Sequence, residues 1–140
     1  MVNPEAVARR LLALNECLNE LARPEAAVVE RLATDSMLRA AVEHWLQTAV
    51  ESCIDIASHV VASEGWVPAS TGREAFLILA QHSRISLDLA KRLGRAAAMR
   101  NVLVHDYVAL DLSKLAHAVG HDLNDLRMFA GEVAKWMGDA

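Results

Sequence analysis

Aromatic, glycine, proline and cysteine residues are all scarce in this sequence of 140 residues. Aromatics make up 4 % against an apolar total of 54 %. Ala and Leu supply the apolar content instead, and both are strong helix formers. With few Gly, Pro or β-branched runs, such a chain reads as a helix bundle rather than a sheet protein. Only Cys17 and Cys53 carry thiols. Their spacing matches no metal or redox motif, and both fall in apolar helical pattern, so buried free thiols in a reducing, cytoplasmic setting are expected. No apolar run approaches the roughly 20 residues of a membrane span. The start, Met1-Val2-Asn3-Pro4-Glu5, lacks the layout of a signal peptide. An excess of positive charge is also missing: the net charge of −4 argues against coating nucleic acid non-specifically, while leaving room for a local basic site.

What is present is helical periodicity. Asn3-Pro4-Glu5 combines a cap, a first-turn proline and an acid suited to the helix dipole. Leu11, Leu14, Leu18 and Leu21 carry that first helix to about Leu21 or Ala22, where Pro24 interrupts it. Pro24 to Ala33 reads as a short helix or a kinked continuation. Thr34 or Asp35 caps a long second helix reaching about Ala62, apolar around most of its circumference and therefore central. Its polar residues form one narrow stripe: His44, Thr48, Glu51, Asp55 and Ser58, with His59 alongside. Gly65 to Gly72 is a loop. A third helix is predicted at about Arg73–His82, a fourth from Leu87 capped by Ser86, and a fifth at about Lys114–Met137. The expectation is one domain over residues 1–140, an all-α, compact up-and-down bundle of about five helices. So rich an apolar content in so small a chain predicts a homodimer.

The segment with the most chemistry is Arg100-Asn101-Val102-Leu103-Val104-His105-Asp106-Tyr107. On a helix Asn101 and His105 are neighbours at i, i+4, and Arg100 and Tyr107, seven apart, nearly align. A guanidinium, an amide, an imidazole and a phenol then share one patch. That set suits phosphodiester chemistry. Arg presents a charged fork matching two phosphate oxygens, and His titrates near neutrality. RNA brings its own nucleophile, the 2′-OH, so Arg100 and His105 can cleave it without a metal. One His cannot easily serve as base and acid together; two copies meeting at a two-fold axis would supply a second.

Arg-Asn-x-x-x-His-x-Tyr at the end of a helix resembles the signature of the HEPN superfamily and, within it, of HepT-like toxins. Glu51 to His59 in the second helix, the Val67-Pro68 loop, Glu74 to Leu79 and Leu87 to Met99 are similar to that family's layout. The resemblance covers about Ala41 to Phe129. It implies a HEPN-like, homodimeric, metal-independent endoribonuclease, the toxin of a pair whose partner is a minimal nucleotidyltransferase (MNT-type) antitoxin that transfers AMP onto the motif's Tyr. On this sequence Arg100 and His105 would be catalytic, Asn101 would support the pocket and Tyr107 would be modified. No cofactor or metal is implied. The rival reading is a non-catalytic nucleotide-binding subunit of a two-component nucleotidyltransferase, in which Arg100 and His105 grip a phosphate.

Weaker features surround this motif. Glu51 and Asp55 could orient Arg100 or His105, or form a solvated face. Arg84, Lys91, Arg92, Arg95 and Arg100, with Asp88 among them, give a local positive excess that suits an RNA backbone or an acidic partner equally. His117 and His121 have helical metal-ligand spacing without a third ligand, so exposure is expected. Trp45, Trp66 and Trp136 are expected as core or interface anchors.

Overall fold

Asn3 begins the first helix as its residue type requires: its side-chain oxygen accepts from the N–H groups of Glu5 and Ala6. In this computed structural model residues 2–105 and 112–138 are described, the side chains of 100–105 excepted. Among them are six α-helices: α1 (Pro4–Leu21), α2 (Val29–Thr34), α3 (Ser36–Ser63), α4 (Gly72–Gln81), α5 (Leu87–His105) and α6 (Leu112–Gly138). The architecture is all-helical, as the composition requires.

The count differs from expectation at one place. Pro24–Ala33 is neither one helix nor a continuation of α1. A 3-10 turn spans Pro24–Ala27, and α2 follows after Val28, which is extended at φ −103° and ψ 112°. Two adjacent β-branched residues, Val28 and Val29, disfavour an unbroken helix there. Asp35, rather than Thr34, caps α3 by accepting from the N–H of Leu38 at 3.0 Å. Thr34 instead donates its hydroxyl to the carbonyl of Glu30. The last helix begins at Leu112, two residues before the expected Lys114.

α3 is central: it packs against α1, α4, α5 and α6. Val42, Leu46, Ala49, Val50, Cys53, Ile56, Ala57, Val60 and Val61 are all buried along it. Phe76 of α4 meets Phe129 of α6 edge to face at 5.7 Å, and the core runs continuously through all the α-helices. Cys17 and Cys53 are buried free thiols, and burial pushes both pKa values up. All three Trp side chains are partly buried against the core. Among the described residues no helix is long and apolar enough to cross a membrane.

Candidate functional site

The helix that ends in the polar octapeptide is anchored from its other end. The Ser86 hydroxyl oxygen accepts from the N–H of Leu89 at 3.0 Å, and Leu89, Ala90, Leu93, Ala96 and Ala97 bury one side of α5. The backbone stays helical through His105. Positions 94, 98, 101 and 105 therefore follow one line along the helix, and position 100 is turned about 120° from position 94. The side chains of Arg100, Asn101 and His105 lie outside the described residues, and so does Tyr107 altogether.

A cleft of about 840 Å³ opens along that line. α3 contributes Glu51 and Ile54, the start of α4 contributes Thr71, Gly72, Arg73 and Leu77, and α5 contributes Ala90, Lys91, Gly94, Arg95, Ala97 and Ala98. Small residues are what let the walls come so close. A Cβ on Gly72 would lie 2.8 Å from Cγ1 of Ile54, and one on Gly94 would lie 3.1 Å from Cγ of Arg73. The aliphatic stem of Arg73 thus lies across α5, while its charge stays at the cleft. The mouth of α4 is well fixed. The Thr71 hydroxyl oxygen accepts from the N–H of Glu74, and the Glu74 carboxylate accepts from both the N–H and the hydroxyl of Ser70 at 2.8 Å. Donation from the Ser70 N–H, with the Ser70 hydroxyl second, holds the Glu74 carboxyl below its usual pKa.

The polar stripe of α3 does not act as one unit. Glu51 faces the cleft. Asp55, one turn on, pairs with Arg10 of α1 at 3.9 Å. The His59 ring accepts from the N–H of Asn3 at 3.2 Å and lies 3.4 Å from the Ser63 hydroxyl. His44 and Thr48 line a separate groove against α1, with Glu16, Cys17 and Glu20. Of the two carboxylates expected to support a pocket, Glu51 is at the cleft and Asp55 joins α3 to α1.

The basic group on α5 also divides. Arg92 is paired with Asp88 and, at 2.9 Å, with Asp125 of α6. Arg84 pairs with Glu64 at 3.5 Å and lies over the rings of Trp66 and Trp136. Those two cations hold the bundle together; Lys91 and Arg95 open onto the cleft. Sequence reasoning missed Arg73. Its signal was a broken rule, since a cation in the first turn of a helix opposes the helix dipole. His117 and His121 are exposed, with their rings edge to face at 3.7 Å. Asp122 beside them has its pKa raised, first by burial and then by Asp125. No group of three or more potential ligands among the described residues could hold a metal ion.

Comparison with known proteins places this geometry in a context. A family model described as "Ribonuclease HepT-like" matches residues 6–133. The mRNA nuclease HepT of Shewanella oneidensis is 37 % identical over 84 residues, which is 60 % of this chain and 63 % of that protein. The match thus spans less than two thirds of the Shewanella relative's length. The tRNA nuclease HepT of Aphanizomenon flos-aquae is 22 % identical over 136 residues, 97 % of this chain and 92 % of that protein. A solved structure of a tri-AMPylated Shewanella oneidensis HEPN toxin in complex with MNT antitoxin has a TM-score of 0.83 and 27 % identity. It covers 96 % of this chain and 99 % of the toxin.

Proposed function

The chain belongs to the ribonuclease HepT-like family, and from that premise we propose that it is the metal-independent endoribonuclease toxin of a toxin–antitoxin pair. The observation that carries the reading is the Arg100-Asn101-x-x-x-His105-x-Tyr107 set within a chain whose family match runs from residue 6 to 133. Its substrate class is RNA and no narrower, because the two relatives above are named for mRNA and for tRNA.

In this reading the 2′-oxygen of RNA forms a bond to the adjacent phosphorus while the bond from phosphorus to the 5′-oxygen breaks. His105 takes the proton of the 2′-OH, and the equivalent histidine of a second copy returns one to the leaving 5′-oxygen. Arg100 stabilises the charge that builds on the phosphoryl oxygens, and Asn101 supports the pocket. Glu51, at the cleft wall, is the carboxylate placed to orient a member of the set; Asp55 supports it at one remove through the packing of α1. The partner is an MNT-type nucleotidyltransferase antitoxin. It transfers AMP from ATP to the Tyr107 phenol oxygen, the α–β phosphoanhydride bond breaking so that pyrophosphate leaves as the phenol proton is released. The added bulk and negative charge beside Arg100 and His105 then exclude an RNA phosphate. The setting is cytoplasmic.

The test is cleavage of RNA by purified protein in EDTA. His105→Ala should lower kcat/KM by about 10²–10⁴-fold, and Arg100→Ala by about 10²–10³-fold, with unchanged folding by circular dichroism. Cleavage that survives both substitutions, or that EDTA stops, would overturn the mechanism.

A further inference from the structure

The cleft beside α5 holds charges that the cleavage chemistry leaves unused. Arg73, Lys91 and Arg95 come to it from two helices, all three exposed. No ion pair among the described residues engages any of them, in contrast to the paired Arg84 and Arg92. The field of Arg95 reaches Asp122 on α6 without a pair forming. Among the described residues lining it, three cations and one carboxylate, Glu51, give the cleft a positive excess on a chain of net charge −4. Gly72, Ala90, Gly94, Ala97 and Ala98 line it with small side chains. Among the described residues that line it none is aromatic. Arg95 lies about 15 Å along the helix axis from position 105, further than one nucleotide reaches.

We propose that this cleft is a sequence-tolerant track for the phosphodiester backbone of a single RNA strand, with Arg73, Lys91 and Arg95 as positioning residues several nucleotides from the scissile phosphate. The inference rests on the ribonuclease reading above and extends its site. An acidic protein surface would meet the same cations, but a concave cleft of about 840 Å³ suits an extended strand better than a globular face.

Binding of a labelled 2′-O-methyl RNA oligonucleotide of about 12 residues tests this. That probe lacks the 2′-OH and so stays intact. The variant is R73Q/K91Q/R95Q, changed only at exposed positions, with its fold checked by circular dichroism. Loss of three phosphate contacts should flatten the slope of log affinity against log salt by about 2, and weaken binding at about 0.1 M salt by roughly tenfold or more. KM for long RNA should rise while kcat, and the cleavage of a dinucleotide, stay unchanged. Oligo-A and oligo-U probes should bind alike. An unchanged salt slope, no binding by the wild-type chain, a strong preference for one homopolymer, or loss of dinucleotide cleavage would each overturn the track. Unchanged RNA binding with lost association to a nucleotidyltransferase partner would make the cleft a protein-docking surface instead. If the wild-type chain binds the probe with the expected slope change yet cleaves nothing, the track stands and the cleavage reading fails.

Discussion

Asp55 and Glu51 are one helical turn apart on α3, and sequence spacing gives them the same standing. Their surroundings separate them: Asp55 meets Arg10 of the neighbouring helix, whereas Glu51 opens onto the cleft. His59 is taken out of the stripe in the same way, by the N–H of Asn3, 56 residues away in the chain. A one-dimensional pattern marks which residues share a face but not which helix covers that face, so residue types were legible and their partners were not. Glu74 is the complementary case, a local motif whose partners lie within four residues. Its folded-state pKa is lowered from an ordinary 4.5, so the stability it contributes is present above that value and is lost as pH falls through the lowered one. Glu74→Gln should therefore melt below the wild type at neutral pH, and the difference should close as the pH falls through the lowered value, read by thermal melts across pH. A gap that widens in acid would show that the Ser70 contacts favour the neutral acid.

Five long helices were legible in the sequence because each carries its own signals: Asn3, Asp35, Thr71 and Ser86 cap four of them, and apolar periodicity continues them. The end of α4 falls one residue before the expected His82. Ser83 adopts a left-handed φ of 60°, and the Arg84 N–H closes back on the Leu79 carbonyl at 2.9 Å. Glycine usually occupies that position. In α6 the glycines interrupt nothing, in line with the expected span of about Lys114–Met137. Gly120 reads as a weak point, yet the helix runs unbroken from Leu112 to Gly138, held by Leu115, Val119, Leu126, Phe129 and Val133 in the core. A Cβ at Gly120 or Gly131 meets nothing within 4 Å. Gly120→Ala and Gly131→Ala should each stabilise the fold by about 0.5–1 kcal/mol. Lying about 16 Å apart along the axis, they should act additively in urea titrations. Gly72→Ala should do the reverse and cost about 1–3 kcal/mol, because its Cβ would sit 2.8 Å from Ile54. A destabilising Gly120→Ala would mean that the α6 surface there is covered.

At the scale of the whole molecule, composition alone is enough for an all-helical chain, and the octapeptide is enough to point to phosphodiester chemistry. Neither could place Arg73 beside Lys91 and Arg95, because that juxtaposition depends on how α4 packs across α5 through Gly94. The cleavage proposed above would also reach beyond one chain. If His105 of one copy is the base and the same residue of a second copy is the acid, a mixed dimer of wild-type and His105→Ala chains has one of the two groups and should turn over as slowly as the double variant. Mixing a fixed amount of wild-type chain with increasing His105→Ala chain, after exchange of subunits, should then reduce cleavage toward zero as wild-type pairs are diluted out. The active species should have twice the 15.3 kDa chain mass by light scattering. A single-chain site predicts the opposite, constant activity per wild-type chain at every ratio. The titration curve therefore separates one histidine working alone from two working across a shared axis.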